Sequence, residues 1–510
     1  MDDWQRRLPD LLDTVDAARV ANQWDAIGAL FDDYFFALSL SAPEAVERVW
    51  AEAPAAWLEA HPRYLMAAAI SAAERKPFPV IDLPAIRAFA AWVEEQEPPA
   101  TRDVLGVKIA ETRRHLASGR FGLASAVADE IQDIIRHADD HDGFDDVLPS
   151  VFIRLGLVRL LAGHANQAIS SFSEAWRWSS IASPHPFAPF AAAYCSLAHA
   201  LAGDYVHART WRERSAEMHA GGPGTMAFRL ASAAKLADAL IAIGAVDRSE
   251  ARRAVGELEV GVEGGELWWV GVHARSRVAL YWGDRPSAIR EIEAELHAFP
   301  SLTSPTSLAG VILRADLADL HQAEGHFDRA GLILGPLNTG APHPAAVSTL
   351  ARQLILVDDS GGALNLLDTA MSPPLRTTQA PARWEVLRAN LAHLMSAADE
   401  RTAITRATRR LELTGAHDAA IDADPDIRSS VLGHLELPDL PFAPFVREPV
   451  NLTPRERQIL ELLADHTSVK ELAGVLFISH NTAKSHLGRL YRKLNVENRD
   501  QALRAARRLG

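Results

Sequence analysis

The chain has 510 residues, 48% of them hydrophobic and 23% charged, which is ordinary for folded protein but too long for one domain. A net charge of −14 excludes a chain that is basic throughout and clings to polyanions along its length, and the single cysteine, Cys195, excludes an intrachain disulfide and points to a reducing compartment. No apolar run reaches the roughly 18 residues a spanning helix needs, and Met1 to Arg7 has no apolar signal core, so the expectation is a cytoplasmic protein with no membrane contact.

In chain order, residues 5–100 read as helices without a clear repeat. From about residue 104 to 335 a period appears. Gly119, Gly163, Gly203, Gly244, Gly283 and Gly325 recur at intervals of 44, 40, 41, 39 and 42. Most are followed five residues later by an alanine: Ala124, Ala168, Ala208, Ala288 and Ala330. Phe121, Tyr205 and Phe327 stand two residues after their glycines. Each glycine is expected to end one amphipathic helix, and each alanine to let the next helix pack close, as in a helix-pair solenoid. The best copy is Phe152-Ile-Arg-Leu155-Gly156 with Gly163, Ala168, Phe172 and Ala175. It resembles a tetratricopeptide repeat of longer period. That resemblance implies a superhelix with a concave surface able to hold a peptide, a protein or a small ligand. The pattern fades over 343–415, where turns are expected at Asp358–Gly362 and Ala397–Glu400.

Other constellations in the body are weaker. The acidic run His137 to Asp146 fails as a calcium loop, because Ala138 and Pro149 fall at its first and twelfth positions, and reads as a solvated inter-repeat loop. Trp176, Trp178, Trp268, Trp269 and Trp282 fit either the core of the repeats or the lining of a pocket. No His-Glu-x-x-His, Gly-x-Ser-x-Gly or Gly-Lys sequence occurs, so neither a catalytic motif nor a phosphate-binding loop is present. Neither enzyme activity, a cofactor nor a metal is expected. Pro438, Pro441, Pro444 and Pro449 then break helix between His434 and Val450. The expected organisation is therefore an array over 1–433, a linker over 434–450 and a C-terminal domain over 451–510. The linker could dock on the array or swing free.

The last segment spells four short helices. Thr453, Pro454 and Glu456 form a capping box with proline at the first helical position, ahead of Ile459, Leu460, Leu462 and Leu463. Ser468 and Glu471 form a second box, ahead of Leu472, Ala473 and Leu476. Ser479 caps the third helix, in which Ala483, Leu487, Leu490 and Leu494 make one apolar stripe. Asn481, Lys484, Ser485, Gly488, Arg489 and Arg492 fall on or beside the opposite face, which is short, polar and basic, as entry into a major groove requires. Gly488 is read either as drift or as room for close approach to DNA. Asn498 and Gln501 repeat the box for a fourth helix carrying Ala502, Leu503 and Ala506. From residue 451 onward there are 11 Lys+Arg against 6 Asp+Glu, leaving 41 against 60 in the rest. A basic terminal module on an acidic body suits a DNA reader.

Leu452-Thr-Pro-Arg-Glu456, Lys470-Glu-Leu-Ala473, Phe477-Ile-Ser479, Thr482-Ala-Lys-Ser-His486 and Arg492-Lys-Leu494 resemble the LuxR-type DNA-binding domain of the LuxR, NarL and GerE regulators. The resemblance implies double-stranded DNA as partner and base reading by Lys484, Ser485 and Gly488. It implies phosphate contacts from Thr482, His486, Arg492 and Lys493, with Asn481 and Arg489 on the same face. The fourth helix, with Arg499, Ala502, Leu503 and Ala506, resembles the dimerisation surface of a homodimer. The chain departs from the family's pattern at two places: His466-Thr467 replace a turn glycine, and Ala483 replaces valine. An array before such a reader resembles the regulators of the MalT type, without their P-loop ATPase. The expectation is an all-α, DNA-binding transcription regulator whose array senses an unknown small-molecule or protein effector. The alternatives are an interaction scaffold whose terminal module does not bind DNA, and an enzyme concealed in the array.

Overall fold

The computed structural model describes residues 3–73, 83–138, 143–181, 186–217, 225–258, 265–340, 342–371, 381–433, 437, 452–466, 468–494, 496, 498, 499, 502 and 503. All its regular structure among these residues is helical. The N-terminal part comprises α1 (Asp3–Val20), α2 (Trp24–Ser41), α3 (Pro43–Glu52), α4 (Ala55–Ala60), α5 (Pro62–Ala73) and α6 (Pro84–Glu94). A file of helix hairpins follows: α7 (Thr101–Ala117) with α8 (Phe121–His137), α9 (Leu148–Leu161) with α10 (Ala165–Ile181), and α11 (Ala188–Leu201) with α12 (Tyr205–Glu217). Next come α13 (Thr225–Gly244) with α14 (Arg248–Gly256), α15 (Trp268–Trp282) with α16 (Arg285–Ala298), and α17 (Leu308–Ala323) with α18 (Phe327–Leu334). The file ends with α19 (Pro344–Leu356) and α20 (Ser360–Met371), then α21 (Ala382–Leu394) and α22 (Glu400–Thr414). The first helix of each hairpin packs on the first helix of the next from α9 to α21.

The turns follow the expected chemistry at most positions. Gly119, Gly163, Gly203 and Gly325 have φ of +68°, +86°, +74° and +78°, the left-handed region that glycine enters without a Cβ clash. The alanine five residues on is buried each time, and so is Ala288 after Gly283. Two glycines differ from expectation. Gly283 is extended, with φ −132°. Gly244 is still helical, and the left-handed residue is Val246 at φ +60°. Counting from Val246, the fifth residue is Ala251, which is wholly buried, so this repeat obeys the rule with a shifted turn. The faded region obeys it too: Asp358 has φ +67° and Ala363 is wholly buried. A non-glycine turn residue hid these copies.

Glycine also serves a second purpose inside helices. A Cβ on Gly244 would lie 2.1 Å from the Tyr205 ring, and one on Gly156 would lie 2.3 Å from Phe172. The aromatic of one helix therefore seats against bare backbone of another. Phe172 is completely buried and stacks on Tyr194 at 5.2 Å between centroids.

The expected open concave surface is not what the hairpins make. Helices α9, α11 and α17 are buried on nearly every face. Helix α9 reaches α17 and α2 reaches α13 across the array, and Phe36 of α2 meets Phe187 at 6.0 Å. Arg154 of α9 donates to Glu266 at 2.7 Å. The His343 ring fills the space a Cβ on Gly163 would take. The inward helices thus cover one another, because their inner faces are apolar as well as their outer ones. Of the acidic run expected to be solvated, residues 139–142 lie outside the described residues, His137, Gly143 and Asp145 are exposed, and Phe144 is buried while half-buried Asp146 pairs with Arg102 at 2.8 Å. Burial pushes the Asp146 carboxyl up to about 6 despite that arginine. Trp268 and Trp269 are buried, and Trp176, Trp178 and Trp282 pack against the same core, so the tryptophans belong to the repeats. Among the described residues no helix is long and apolar enough to cross a membrane.

After α22 come a 3-10 turn, His417–Asp422, and α23 (Pro425–Leu432), still in the body's main core. Of the expected linker, only Leu437 is described, and it packs against that core; the other residues of 434–450 lie outside the described residues. The C-terminal module has its own core, built by α24 (Pro454–Asp465), α25 (Val469–Val475) and α26 (His480–Leu494).

Gly156→Ala forces a methyl group into the Phe172 ring. It should destabilise the body by about 1–3 kcal/mol, the usual range for overpacking a tight core. Gly122→Ala, with nothing within 4 Å of the added Cβ, should be neutral or slightly stabilising. Denaturant melts of the two variants beside the wild type measure both.

Candidate nucleic-acid interface

The two capping boxes form as the spacing requires. Thr453 accepts from the Glu456 N–H, and the Thr453 N–H donates to Glu456 at 2.9 Å. Ser468 and Glu471 repeat the exchange at the start of α25. Ser479 accepts from the Thr482 N–H at 3.1 Å and opens α26. Of the fourth helix's expected residues, Asn498, Arg499, Ala502 and Leu503 are described, and the Asn498 carbonyl accepts from the Ala502 N–H at 3.0 Å, while Gln501 lies outside the described residues.

Helix α26 has two contrasting sides. Leu487, Leu490 and Leu494 are buried against Ile459, Leu460, Leu463, Leu472 and Leu476, and Ala483 is buried on the same side. Asn481, Thr482, Lys484, Ser485, Gly488, Arg489, Arg492 and Lys493 are exposed, and His486 is half-buried. The expected recognition residues are therefore brought together on one solvent-facing surface. A Cβ on Gly488 would meet nothing within 4 Å, so no contact inside the protein requires glycine there. Ala483 is wholly buried where the family carries valine. His466 ends α24 in extended conformation, with φ −118°, so that turn needs no glycine at this position.

Three polar contacts orient the surface, and none was anticipated from sequence. The Lys493 ammonium, expected on a phosphate, donates to Glu456 at 2.7 Å. That carboxylate already closes the first capping box, so a single group ties the end of α26 to the start of α24. Arg455 donates to the Leu476 carbonyl at 2.9 Å, fixing the turn before α26. Arg499, expected at a dimer surface, donates to the carbonyls of Leu463 and Ala464 at 3.0 and 3.3 Å and caps α24. Ala502 is wholly buried in the module's own core and points inward, and Leu503 is half-buried against it. Ala506 lies outside the described residues. Between α25 and α26, Phe477 is 95% exposed at φ +51°. Its family-like position was legible in the sequence, but its exposure was not.

Residues 450–506 match the profile of the family described as bacterial regulatory proteins, luxR family. Spore germination protein GerE of Bacillus subtilis is 42% identical over 59 residues, which is 12% of this chain and 80% of that protein. The CsgBAC operon transcriptional regulatory protein of Escherichia coli is 50% identical over 52 residues, 10% of this chain and 24% of its own. The HTH-type transcriptional regulator MalT of Serratia proteamaculans is 28% identical over 200 residues, 36% of this chain and 21% of its own. A match of that length exceeds the terminal module and extends into the helical body. The chain belongs to the luxR family of bacterial regulatory proteins and carries that family's DNA-binding helix-turn-helix at its C-terminal end.

The hydrogen bond from Lys493, with the Thr453 backbone N–H, pulls the Glu456 carboxyl from an ordinary 4.5 to about 2. A depressed carboxylate stabilises the fold fully above its unfolded value, and that contribution is lost as pH falls through the folded one. The melting temperature of a fragment covering 450–510 should therefore drop as pH is lowered from about 4.5 towards 2. Glu456→Gln should melt lower at pH 7 and show a flatter profile across that window.

Proposed function

We propose that this protein is a cytoplasmic transcription regulator that reads double-stranded DNA sequence through α26, as a homodimer on two half-sites, under the control of its helical body. The observation that carries the proposal is the division of α26. Its apolar stripe is spent on a core of its own, while Lys484, Ser485, Gly488, Arg489 and Arg492 stand together in solvent. A helix so divided offers a convex basic face of the size a major groove admits. Lys484, Ser485 and the bare backbone at Gly488 read bases. Thr482, His486 and Arg492 hold phosphates, and Asn481 and Arg489 flank them. Lys493 shares its charge between Glu456 and the backbone of DNA. The outer side of the fourth helix is the dimer contact, with Leu503 at its edge, while Arg499 and Ala502 set that helix on the module.

Control by the body is supported by the MalT similarity reaching past the reader and by the continuous core that runs from α2 to α23. A body packed in this way has discrete arrangements rather than a continuum of shapes. A small molecule or protein that binds one arrangement better shifts the population of the reader by that difference in affinity.

Lys484→Ala should change sequence preference and weaken the preferred site by about 1–3 kcal/mol. Arg492→Ala should weaken all sequences alike and lower the salt slope of binding by about 1. Equal losses on every sequence for both variants would refute the division of roles. Gly488→Ala separates the two readings of that position. It should raise the stability of the module by about 1 kcal/mol and still weaken operator binding. Unchanged binding would mean the glycine serves no close approach.

A further inference from the structure

Several hairpin turns of the body share one device: an aspartate directly follows the turn residue and caps the next helix. Asp204 accepts from the His207 N–H at 3.2 Å, and Asp247 accepts from the Glu250 N–H at 3.0 Å. Asp284 accepts from the Ser287 N–H at 3.1 Å, and Asp359 from the Gly362 N–H at 2.8 Å. Each cap uses one carboxylate oxygen, Oδ1. Four residues before and after the turn residue stand Ala242 and Glu250, Ala279 and Ser287, or Leu354 and Gly362. Around Gly203 the same two places hold His199 and His207. The turn therefore forms without histidine, and the imidazole pair at this one calls for another reason.

Both rings gather on the oxygen that the cap leaves over. Asp204 Oδ2 lies 2.8 Å from His207 Nδ1 and 3.6 Å from His199 Nδ1. The two rings stack at 5.3 Å between centroids, 21° apart in plane. One ligand atom from each of the three residues lies within 4.8 Å of the other two. A tetrahedral ion with bonds of about 2.0–2.1 Å sets neighbouring ligand atoms about 3.3 Å apart, and the two observed distances fall on either side of that spacing. The cluster is also open. The His207 side chain is 63% exposed, and a Cβ on Gly203 would meet nothing within 4 Å, so solvent reaches the rings over the turn.

The donor set selects the kind of ion. Two imidazoles and one carboxylate suit zinc and its first-row neighbours, whereas calcium and magnesium take oxygen ligands. Arg410 of α22 acts on the same Asp204 carboxylate, so attraction between charges alone would hold a dication poorly here. Directed bonds from ring nitrogens do not depend on that attraction. The cap on α12 fixes the Asp204 carboxylate and so aims its second oxygen, as an outer hydrogen bond aims a metal ligand. Ligation through Nδ1 needs the ring hydrogen on Nε2, so an ion takes the place of the hydrogen bond between His207 and Asp204.

We infer that His199, Asp204 and His207 form a binding site for a divalent transition-metal ion, zinc by its donor set, at the turn between α11 and α12, with water completing the coordination. The site is independent of the proposed function. An ion held there joins the last turn of α11 to the first turn of α12 and so stiffens one hairpin of the body. The three residues are spread over two helices and the turn between them, so neither helix alone reveals the cluster, and no metal is expected from the sequence.

The test uses the full chain, freed of metal with a chelator and titrated with cobalt(II), whose visible absorption reports its ligands. The wild type should show one saturable cobalt site, emptied by zinc and unaffected by magnesium. His207→Gln should bind at least about tenfold more weakly, since losing a direct ligand should cost no less than losing an outer-shell partner. His199→Gln/His207→Gln should not bind. His207 lies largely in solvent, and the cap on α12 uses its backbone N–H, so the single variant keeps the fold and decides the matter should the double variant not. His393 forms a second group with Asp424 and Asp426 but carries a single imidazole, and His393→Gln should leave cobalt binding unchanged. No saturable cobalt site in the wild type overturns the proposal, as does wild-type affinity in His207→Gln. Binding that is lost in His393→Gln and kept in His207→Gln would move the ion to the second group and overturn it as well.

Discussion

A hairpin of two helices covers only one side of each, and the body is the consequence of covering the rest. Each hairpin does so by lending its first helix to the next, which requires helices to approach closely at regular places. The buried alanine five residues after each turn supplies that approach. Where an aromatic must enter instead, a glycine on the facing helix gives way, as Gly156 does to Phe172 and Gly244 to Tyr205. With both sides of the inward helices apolar, the file also closes on its own interior, so that α9 meets α17 and α2 meets α13.

That interior is not apolar throughout: Arg277 and Arg352 meet Asp319, and Arg383 meets Asp418 and Asp422, in a buried row of ion pairs on the inward helices. Burial alone would raise the Asp319 carboxyl, yet Arg352 and Arg277 hold it below its ordinary value. At Asp418, burial wins, and the carboxyl is raised in spite of Arg383. The two aspartates differ because Arg352, Arg277 and Arg383 all act on Asp319, while Asp418 has the Asp422 carboxylate beside it as well as Arg383 and Arg277. Repeat packing and charge recognition thus meet at the segment that leads out of the body.

The terminal module solves a different problem at a smaller scale. Three short helices and part of a fourth share one core of leucines, and a core so small leaves little margin. Polar contacts between helix ends make up the remainder: Glu456 serves its own helix cap and Lys493 of α26, and Arg499 caps α24 from the fourth helix. The result leaves Lys484, Ser485, Gly488 and Arg489 exposed on the opposite side of α26.

The sequence by itself determined everything governed by local chemistry. Capping boxes, the α26 stripe and its basic face, the glycine turns at 119, 163, 203 and 325, and the helical class all follow from residues within a turn or two of one another. The repeat was hidden where Val246 and Asp358 take the left-handed turn, because side chains other than glycine rarely signal that conformation. Only the tertiary structure decided that the inward helices would bury each other instead of lining a groove. It alone placed Asp418 and Asp422 on arginines 35 and 70 residues away, and turned Lys493 and Arg499 to structural contacts within the module. Those outcomes depend on which surfaces meet across the fold, and no periodicity along the chain encodes a meeting between residues so far apart in it.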